Sequence, residues 1–312
     1  MKRIILAVLC MVMVGSFGFS QNLTDLNKAE QQARDMLDTL LKVLPNTATQ
    51  QNIQPKAWIG YLVQVPYPEI TQKSGKVKRE LPHFTLGPSL GAGIMSADEL
   101  NDIGQTLTGD DLLPIPLLPW PSVSADVRIG GIKIPPVDLP FDLGFSFMTL
   151  DLGSALGDDL GLKWTNWGVD VRYLILRQNG FIPNVSAGVG FAHWSLTLDT
   201  TNVDVELSTD TLYFTGQASY TLANFFIPYL GLKMMTGKNK ADLTIIADEY
   251  KDLASRFGYD NWRTVGAEKS PFQVQIFGGF GFDWLVFQTA IGASIDVTTG
   301  VPGLNFSTRL SL

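Results

Sequence analysis

The 312-residue chain has one cysteine, Cys10, and two histidines, His83 and His193. Cys10 falls within the apolar run Ile4 to Val14, which follows Lys2 and Arg3 and precedes Gly18 and Ser20. A basic start, a short apolar run and small residues form a cleavable secretory signal, here residues 1–20 with the cut before Gln21. After that cut no cysteine remains, so disulfides and thiolate metal sites are excluded. Leu9 stands where a lipoprotein signal wants a small residue, which disfavours lipid anchoring at Cys10.

Charge is also scarce. Charged residues make up 17% of the chain and apolar ones 45%, whereas soluble domains carry about a quarter charged residues. Removing Lys2 and Arg3 from the 23 basic residues leaves 21 against 30 acidic ones, so nucleic acid is not an expected partner. Something apolar must cover part of this surface. It is not a bundle of membrane helices, because no stretch after the signal approaches the roughly 18 apolar residues that a spanning helix needs. The other structure that leaves no backbone group unpaired in lipid is a closed β-barrel.

What the sequence does contain fits a barrel. Between Thr24 and Leu44, Leu26, Ala29, Ala33, Met36, Leu37, Leu40 and Leu44 recur at helical spacing, and Pro45 is expected to end the helix. Such an amphipathic helix covers an adjacent apolar surface or, alternatively, plugs a barrel. Residues 46–81 read as a linker with a strand at Ala57 to Val65 and a basic turn at Lys73 to Arg79. The expected division is a signal at 1–20, a periplasmic helix with linker or plug at 21–82, and an outer-membrane barrel at 83–312.

From His83 onward, segments of about ten residues alternate in polarity, the pattern of transmembrane strands. Leu86, Pro88, Leu90, Ala92 and Ile94 oppose Thr85, Gly87, Ser89, Gly91 and Gly93. Val123, Ala125, Val127 and Ile129 oppose Ser124, Asp126 and Arg128, and Phe141, Leu143, Phe145 and Phe147 oppose Asp142, Gly144 and Ser146. The pattern repeats with Trp167, Val169, Val171 and Tyr173 against Asp170 and Arg172, and with Val185, Ala187, Val189 and Phe191 against Ser186, Gly188 and Gly190. Further segments follow at Leu212 to Tyr220, more weakly at Phe226 to Met235, then at Phe272 to Asp283, Leu285 to Asp296 and Leu304 to Leu312. The fold class is therefore all-β, an antiparallel transmembrane barrel of about 10 strands, within a range of about 8–14.

The connections alternate too. Met95 to Trp120, Thr149 to Lys163, Asp199 to Thr209, Thr236 to Ser270 and Thr298 to Pro302 form one set. The other set, Pro135 to Pro140, Arg177 to Pro183, Thr221 to Phe225 and Asp283 to Trp284, is tight. Long loops outside and short periplasmic turns predict an outer-membrane location with both chain ends in the periplasm. Trp164, Trp167, Tyr173, Trp194, Tyr220, Tyr229, Trp284 and Phe287 are placed for interfacial girdles. An apolar C-terminal residue, Leu312, resembles the insertion signal of such proteins, with phenylalanine the usual terminal residue.

The segments LPHFTLGPSLGAGI, WPSVSADVRIGGIKIPPVDLPFDLGFSF, WGVDVRYLIL and FIPNVSAGVGF, within roughly His83 to Phe191, resemble an uncharacterised family of small outer-membrane proteins of spirochaetes and their relatives. More loosely, a helix-led small barrel is similar to OmpW-like porins and the fatty-acid transporter. The resemblance implies a location and a fold. It implies outer-membrane lipid and the barrel-insertion machinery as partners, and it carries no catalytic residues.

Candidate sites are few. Asp126, Arg128, Asp170, Arg172, Asp283, Asp296 and Arg309 share the lumen-facing parity, where they form either an ion-pair network that closes the lumen or a selectivity filter. The run Leu112 to Pro121 is apolar and proline-rich, so Leu112, Leu113, Ile115, Leu117, Leu118 and Trp120 are candidates for a cap or a ligand-access site for a small hydrophobic solute. His193 reads as an interfacial residue rather than a base for Ser195. Asp110 with Asp111, and Asp158 with Asp159, read as solvated turn residues rather than calcium ligands. No metal, cofactor or enzymatic activity is expected. The functional expectation is a passive channel or transporter, with a structural or adhesive surface protein as the alternative. In the latter the 35-residue loop Thr236 to Ser270, with a strand at Leu243 to Ala247 and a helix at Glu249 to Arg256, is the active part.

Overall fold

Alternation along each segment turns one side chain outward and the next inward, and the strands use it as read. In the computed structural model, which describes residues 23–50, 52–59, 83–96, 117–134, 137–151, 153, 160–200, 203–223, 225–245, 264–284 and 286–311, one helix precedes the strands. The helix is α1 (Leu23–Gln50). The strands are β1 (His83–Ser96), β2 (Leu117–Ile134), β3 (Val137–Asp151), β4 (Leu160–Leu176), β5 (Asn184–Thr200) and β6 (Val203–Ser219). They continue as β7 (Phe226–Ile245), β8 (Thr264–Lys269), β9 (Phe272–Trp284), β10 (Phe287–Asp296) and β11 (Pro302–Ser311).

Each strand pairs antiparallel with its sequence neighbours, β1 pairs with β11, and β6–β7 pairing closes the ring. β8 and β9 are one stave. Asn239 faces Lys269 and Thr236 faces Phe272 in unbroken register across β7, and the interruption falls at Pro271, which has no N–H to give the ladder. The barrel thus has the expected ten staves. At the short-turn end, Gly131 adopts a φ of 72° where the β2–β3 register shifts, a bulge that a residue with a Cβ rarely accommodates.

The outer face carries Leu86, Leu90, Val127, Phe145, Phe147, Val169, Phe214, Leu232, Ile276, Phe280, Ile291 and Phe306, all exposed. Such a belt is stable only against hydrocarbon, and every stave pairs with both of its neighbours, although residues 117–124 of β2 have no partner in β3 and β8 pairs with β7 alone. On β5–β8 the wall continues beyond this belt. β7 changes on its outer face from Leu230, Leu232 and Met234 to Thr236, Lys238 and Lys240, while Ala241 and Leu243 remain buried inside.

Expected loops are strand in three places. The stretch Asp199 to Thr209 is mostly strand in β5 and β6, Leu117 to Trp120 belong to β2 rather than to a loop, and Leu243 to Ile245 finish β7. Trp164, Trp194 and Tyr229 face the interior and are buried, because they fall on the inward parity. Trp167, Tyr173, Tyr220, Trp284 and Phe287 are partly or fully exposed. Pro45 does not end α1, which continues to Gln50. The signal segment, the acid pairs, the basic turn and the proposed helix at 249–256 lie outside the described residues.

Of the two alternatives for the N-terminal segment the structure takes the plug: residues 37–50 and 52–59 occupy the lumen. Leu37, Leu41, Val43, Leu44, Thr47, Ala48, Thr49 and Gln50 are at most 1% exposed. α1 meets the wall first at the long-connection end, where Arg34 donates to the Gly266 carbonyl and Asp38 pairs with Lys269. It descends along β7 past Asn239 and Lys233. The chain then runs irregularly to the short-turn end, where Lys56 pairs with Asp283 and the Ile59 carbonyl meets His83. Residues 57–59 are not a strand. The His83 ring also bonds Ser311 at the end of β11, so the two ends of the barrel wall share one mouth, and the described start of α1 lies toward the other.

Candidate functional site: the plugged lumen

Three zones of different chemistry hold the plug. In the upper zone the apolar face of α1, with Leu37, Leu40, Leu41, Val43 and Leu44, packs into a collar containing Met95, Trp120, Trp164, Trp194, Leu207 and Leu243. Trp120 and Trp194 meet edge to face at 6.4 Å. Each buried leucine contributes about 1.5–3 kcal/mol relative to exposure. The helical spacing read from sequence is the pattern that faces this collar.

The middle zone is a latch built on Pro45. A proline at this position gives no N–H to the carbonyl four residues earlier, so the Leu41 carbonyl loses its helical partner. Asn239 supplies the donor at 2.9 Å from β7, and Gln273 donates to the adjacent Lys42 carbonyl at 2.8 Å from β9. One turn lower, Asn46 donates to the Val301 carbonyl at 3.1 Å, Gln50 donates to Ser294 at 2.7 Å, and Gln50 and Gln275 both donate to the Asn46 side-chain oxygen. At the helix end the Lys233 ammonium donates to the Thr49 carbonyl at 2.8 Å and lies over the rings of Tyr213 and Phe277. A cation there meets the negative end of the helix dipole and two aromatic faces.

Wall glycines permit this close approach. A Cβ at Gly91 would lie 2.5 Å from the Gln50 Cβ, and one at Gly93 would lie 2.5 Å from Thr47 Oγ1.

The lower zone is ionic. Arg128 grips Asp170 through two bonds of 2.8 and 2.7 Å, Arg309 Nε donates to Asp126 at 2.8 Å, and Arg172 pairs with Asp142 at 3.2 Å. All six side chains are buried. The plug joins this set. Arg172 donates to the Lys56 carbonyl at 2.8 Å, the Ile59 amide donates to Asp142 at 2.9 Å, and Gln217 donates to the Gln54 carbonyl at 2.5 Å.

The seven residues singled out by parity therefore separate. Asp126, Arg128, Asp170, Arg172 and Arg309 lie together, and Asp283 lies nearby at the short-turn end with Lys56 and Gln288. Asp296 is apart. Its carboxylate accepts the Thr298 and Thr299 amides and shapes the β10–β11 turn. Leu112, Leu113 and Ile115 lie outside the described residues; Leu117 is exposed, Leu118 pairs with Met95 in β2, and Trp120 belongs to the collar. On the outer face His193 bonds Asp210 at 2.7 Å and stacks on Trp167 at the border of the apolar belt. Among the described residues no three His, Cys, Asp or Glu side chains are grouped to hold a metal ion.

Sequence reading misses Lys233 and Asn239, and gives Gln273 no more than the inward parity of its segment. β7 looks weakly patterned because its inward residues Ile227, Tyr229 and Met235 are apolar where they meet packed protein rather than water. The signal for the latch lay in the plug: a proline within a helical pattern, followed by the polar run Asn46 to Asn52.

No family model matches the chain, and no curated protein matches it, so the resemblance to small spirochaete barrels finds no support there. Solved structures similar to it are barrels. The translocator domain of the autotransporter NalP from Neisseria meningitidis matches with TM-score 0.37 and 6% identity over 73% of this chain and 87% of that one. The outer membrane protease OmpT from Escherichia coli matches with TM-score 0.37 and 8% identity over 74% and 93%. A Pseudomonas aeruginosa FadL homologue matches with TM-score 0.34 and 10% identity over 69% and 60%. At these scores the likenesses say nothing of activity. What the chain's own geometry gives is a closed ten-stave transmembrane barrel whose lumen is filled by its own N-terminal segment.

Proposed function

We propose that this protein resides in the outer membrane as a plugged barrel, closed to passive diffusion, and serves as an anchor for the structure above the apolar belt. The observation that carries this reading is the occupation of the lumen from end to end by residues 37–50 and 52–59, apolar above and hydrogen-bonded or ionic below. A passive pore needs a water-filled path, and the collar is closed by the apolar face of its bound helix. The portion above the belt, β5–β8 with the connection between β7 and β8, is then the functional surface, and outer-membrane lipid and the insertion machinery are the partners.

A second reading, transport of a small hydrophobic solute with the plug as gate, draws support from the lower two zones. There the plug meets the wall through polar contacts whose net worth is only about 0.5–1.5 kcal/mol for each neutral bond, so water exchanges for them at modest cost.

Planar-bilayer conductance separates the two. The anchor reading expects no openings from the full chain and steady conductance after deletion of residues 23–59. Openings from the full chain that vanish when the plug is crosslinked to the wall would replace it with the transport reading.

A further inference from the structure

We infer that the barrel holds the start of α1 out on the membrane face reached by its long connections, so that residues 23–33 are displayed at the cell surface. This rests on the outer-membrane reading above, with the long connections outward and the short turns in the periplasm.

The argument is one of polarity along the lumen. The ends of the described plug are fixed by contacts at opposite mouths. Arg34 and Asp38 are tied to Gly266 and Lys269, on the part of β8 beyond the apolar belt. Lys56 and Ile59 are tied to Asp283, Asp142 and His83 at the short-turn end. Between them the order along β7 is monotonic, with the Leu41 carbonyl at Asn239 and the Thr49 carbonyl at Lys233. The helix does not fold back. From Arg34 to Leu23 it continues for eleven residues, or about 16 Å at 1.5 Å per residue, in the direction that leaves the barrel. Gln31 and Asp35 are exposed there, consistent with emergence from the mouth. The chain thus passes through its own barrel, and the segment ahead of the plug ends on the side opposite Ser311.

Single cysteines test this cleanly, since Cys10 is the only native one and lies in the expected signal. Gln31→Cys and Asp35→Cys report on the start of α1, Glu206→Cys on the outer face of β6 beyond the belt, and Phe181→Cys on a short-turn tip, where that side chain is fully exposed. Intact cells are treated with a membrane-impermeant maleimide, and the labelling is repeated after the outer membrane is permeabilised.

The expected result is full labelling at positions 31, 35 and 206 in intact cells, with position 181 labelled only after permeabilisation. Labelling of 206 in intact cells, with 31 and 35 protected until permeabilisation, would overturn the inference and leave the outer-membrane reading standing. Labelling of 181 in intact cells with 206 protected would mean an inverted barrel and would overturn both.

Discussion

The side-chain amide of Asn239 donates to the carbonyl of Leu41, the acceptor that Pro45 leaves without a helical partner. A defect in the helix is thereby converted into a specific attachment between plug and wall. Asn239→Ala removes the donor but leaves the buried carbonyl, which costs about 1–3 kcal/mol. Urea unfolding of the refolded protein, followed by tryptophan fluorescence, is expected to show that loss. An unchanged midpoint would mean that the latch does not hold the plug.

Gly93 faces Thr47, and Gly91 faces Gln50, at distances that exclude any larger wall residue. Gly93→Leu is expected to dislodge α1 and turn a silent barrel into a conducting one in planar bilayers. Gly91→Ala, whose Cβ would come within 2.5 Å of the Gln50 Cβ, is expected to loosen the same helix and to give smaller or rarer openings. Silence of both variants would place the helix elsewhere.

The Arg128–Asp170 pair is buried on both sides. Arg128→Met leaves an uncompensated carboxylate and is expected to cost about 3–5 kcal/mol. Arg128→Met with Asp170→Asn should recover most of that loss, because the penalty is the lone charge rather than the absent pair. A double-mutant cycle on unfolding free energies measures this, and additive losses would count against the paired geometry.

Phe145 and Ser146 are neighbours on opposite faces of β3. Phe145→Arg puts a charge into hydrocarbon at a cost of about 2–4 kcal/mol near the midplane. It is expected to slow or prevent folding into lipid vesicles, as read by heat-dependent gel mobility. Ser146→Ala, on the inner face, should leave insertion intact.

Much of this architecture was legible in the residues. The parity of Asp126, Arg128, Asp170, Arg172 and Arg309 was enough to put them inside, since period-two alternation admits only two faces. Stave number followed from counting alternating segments, although Pro271 divides one of them. The plug was not legible in the same way. An amphipathic helix states that its apolar face is covered, and nothing in the spacing of Leu37, Leu40 and Leu44 states by what. Pro45 looks like a terminator because its missing N–H normally leaves a carbonyl bare, and the donor that satisfies that carbonyl lies 198 residues away. Tryptophan's preference for interfaces points Trp164 and Trp194 to the girdles, whereas their parity, the stronger constraint, puts them inside.

A thread through a closed ring also sets an order of events. No sideways path leads residues 37–59 into a finished barrel, so either the thread slides in lengthwise or the wall shuts around it. The joint that shuts the wall is β1 with β11, where Thr85 meets Ser311, and Pro302–Ser311 is the last stave in the chain. Contacts between partners so distant in sequence form late. Assembly then has a fork: a ring that shuts before α1 is seated is locally native in every strand pairing yet hollow, and it reaches the native state only by drawing the helix in along the axis or reopening that joint.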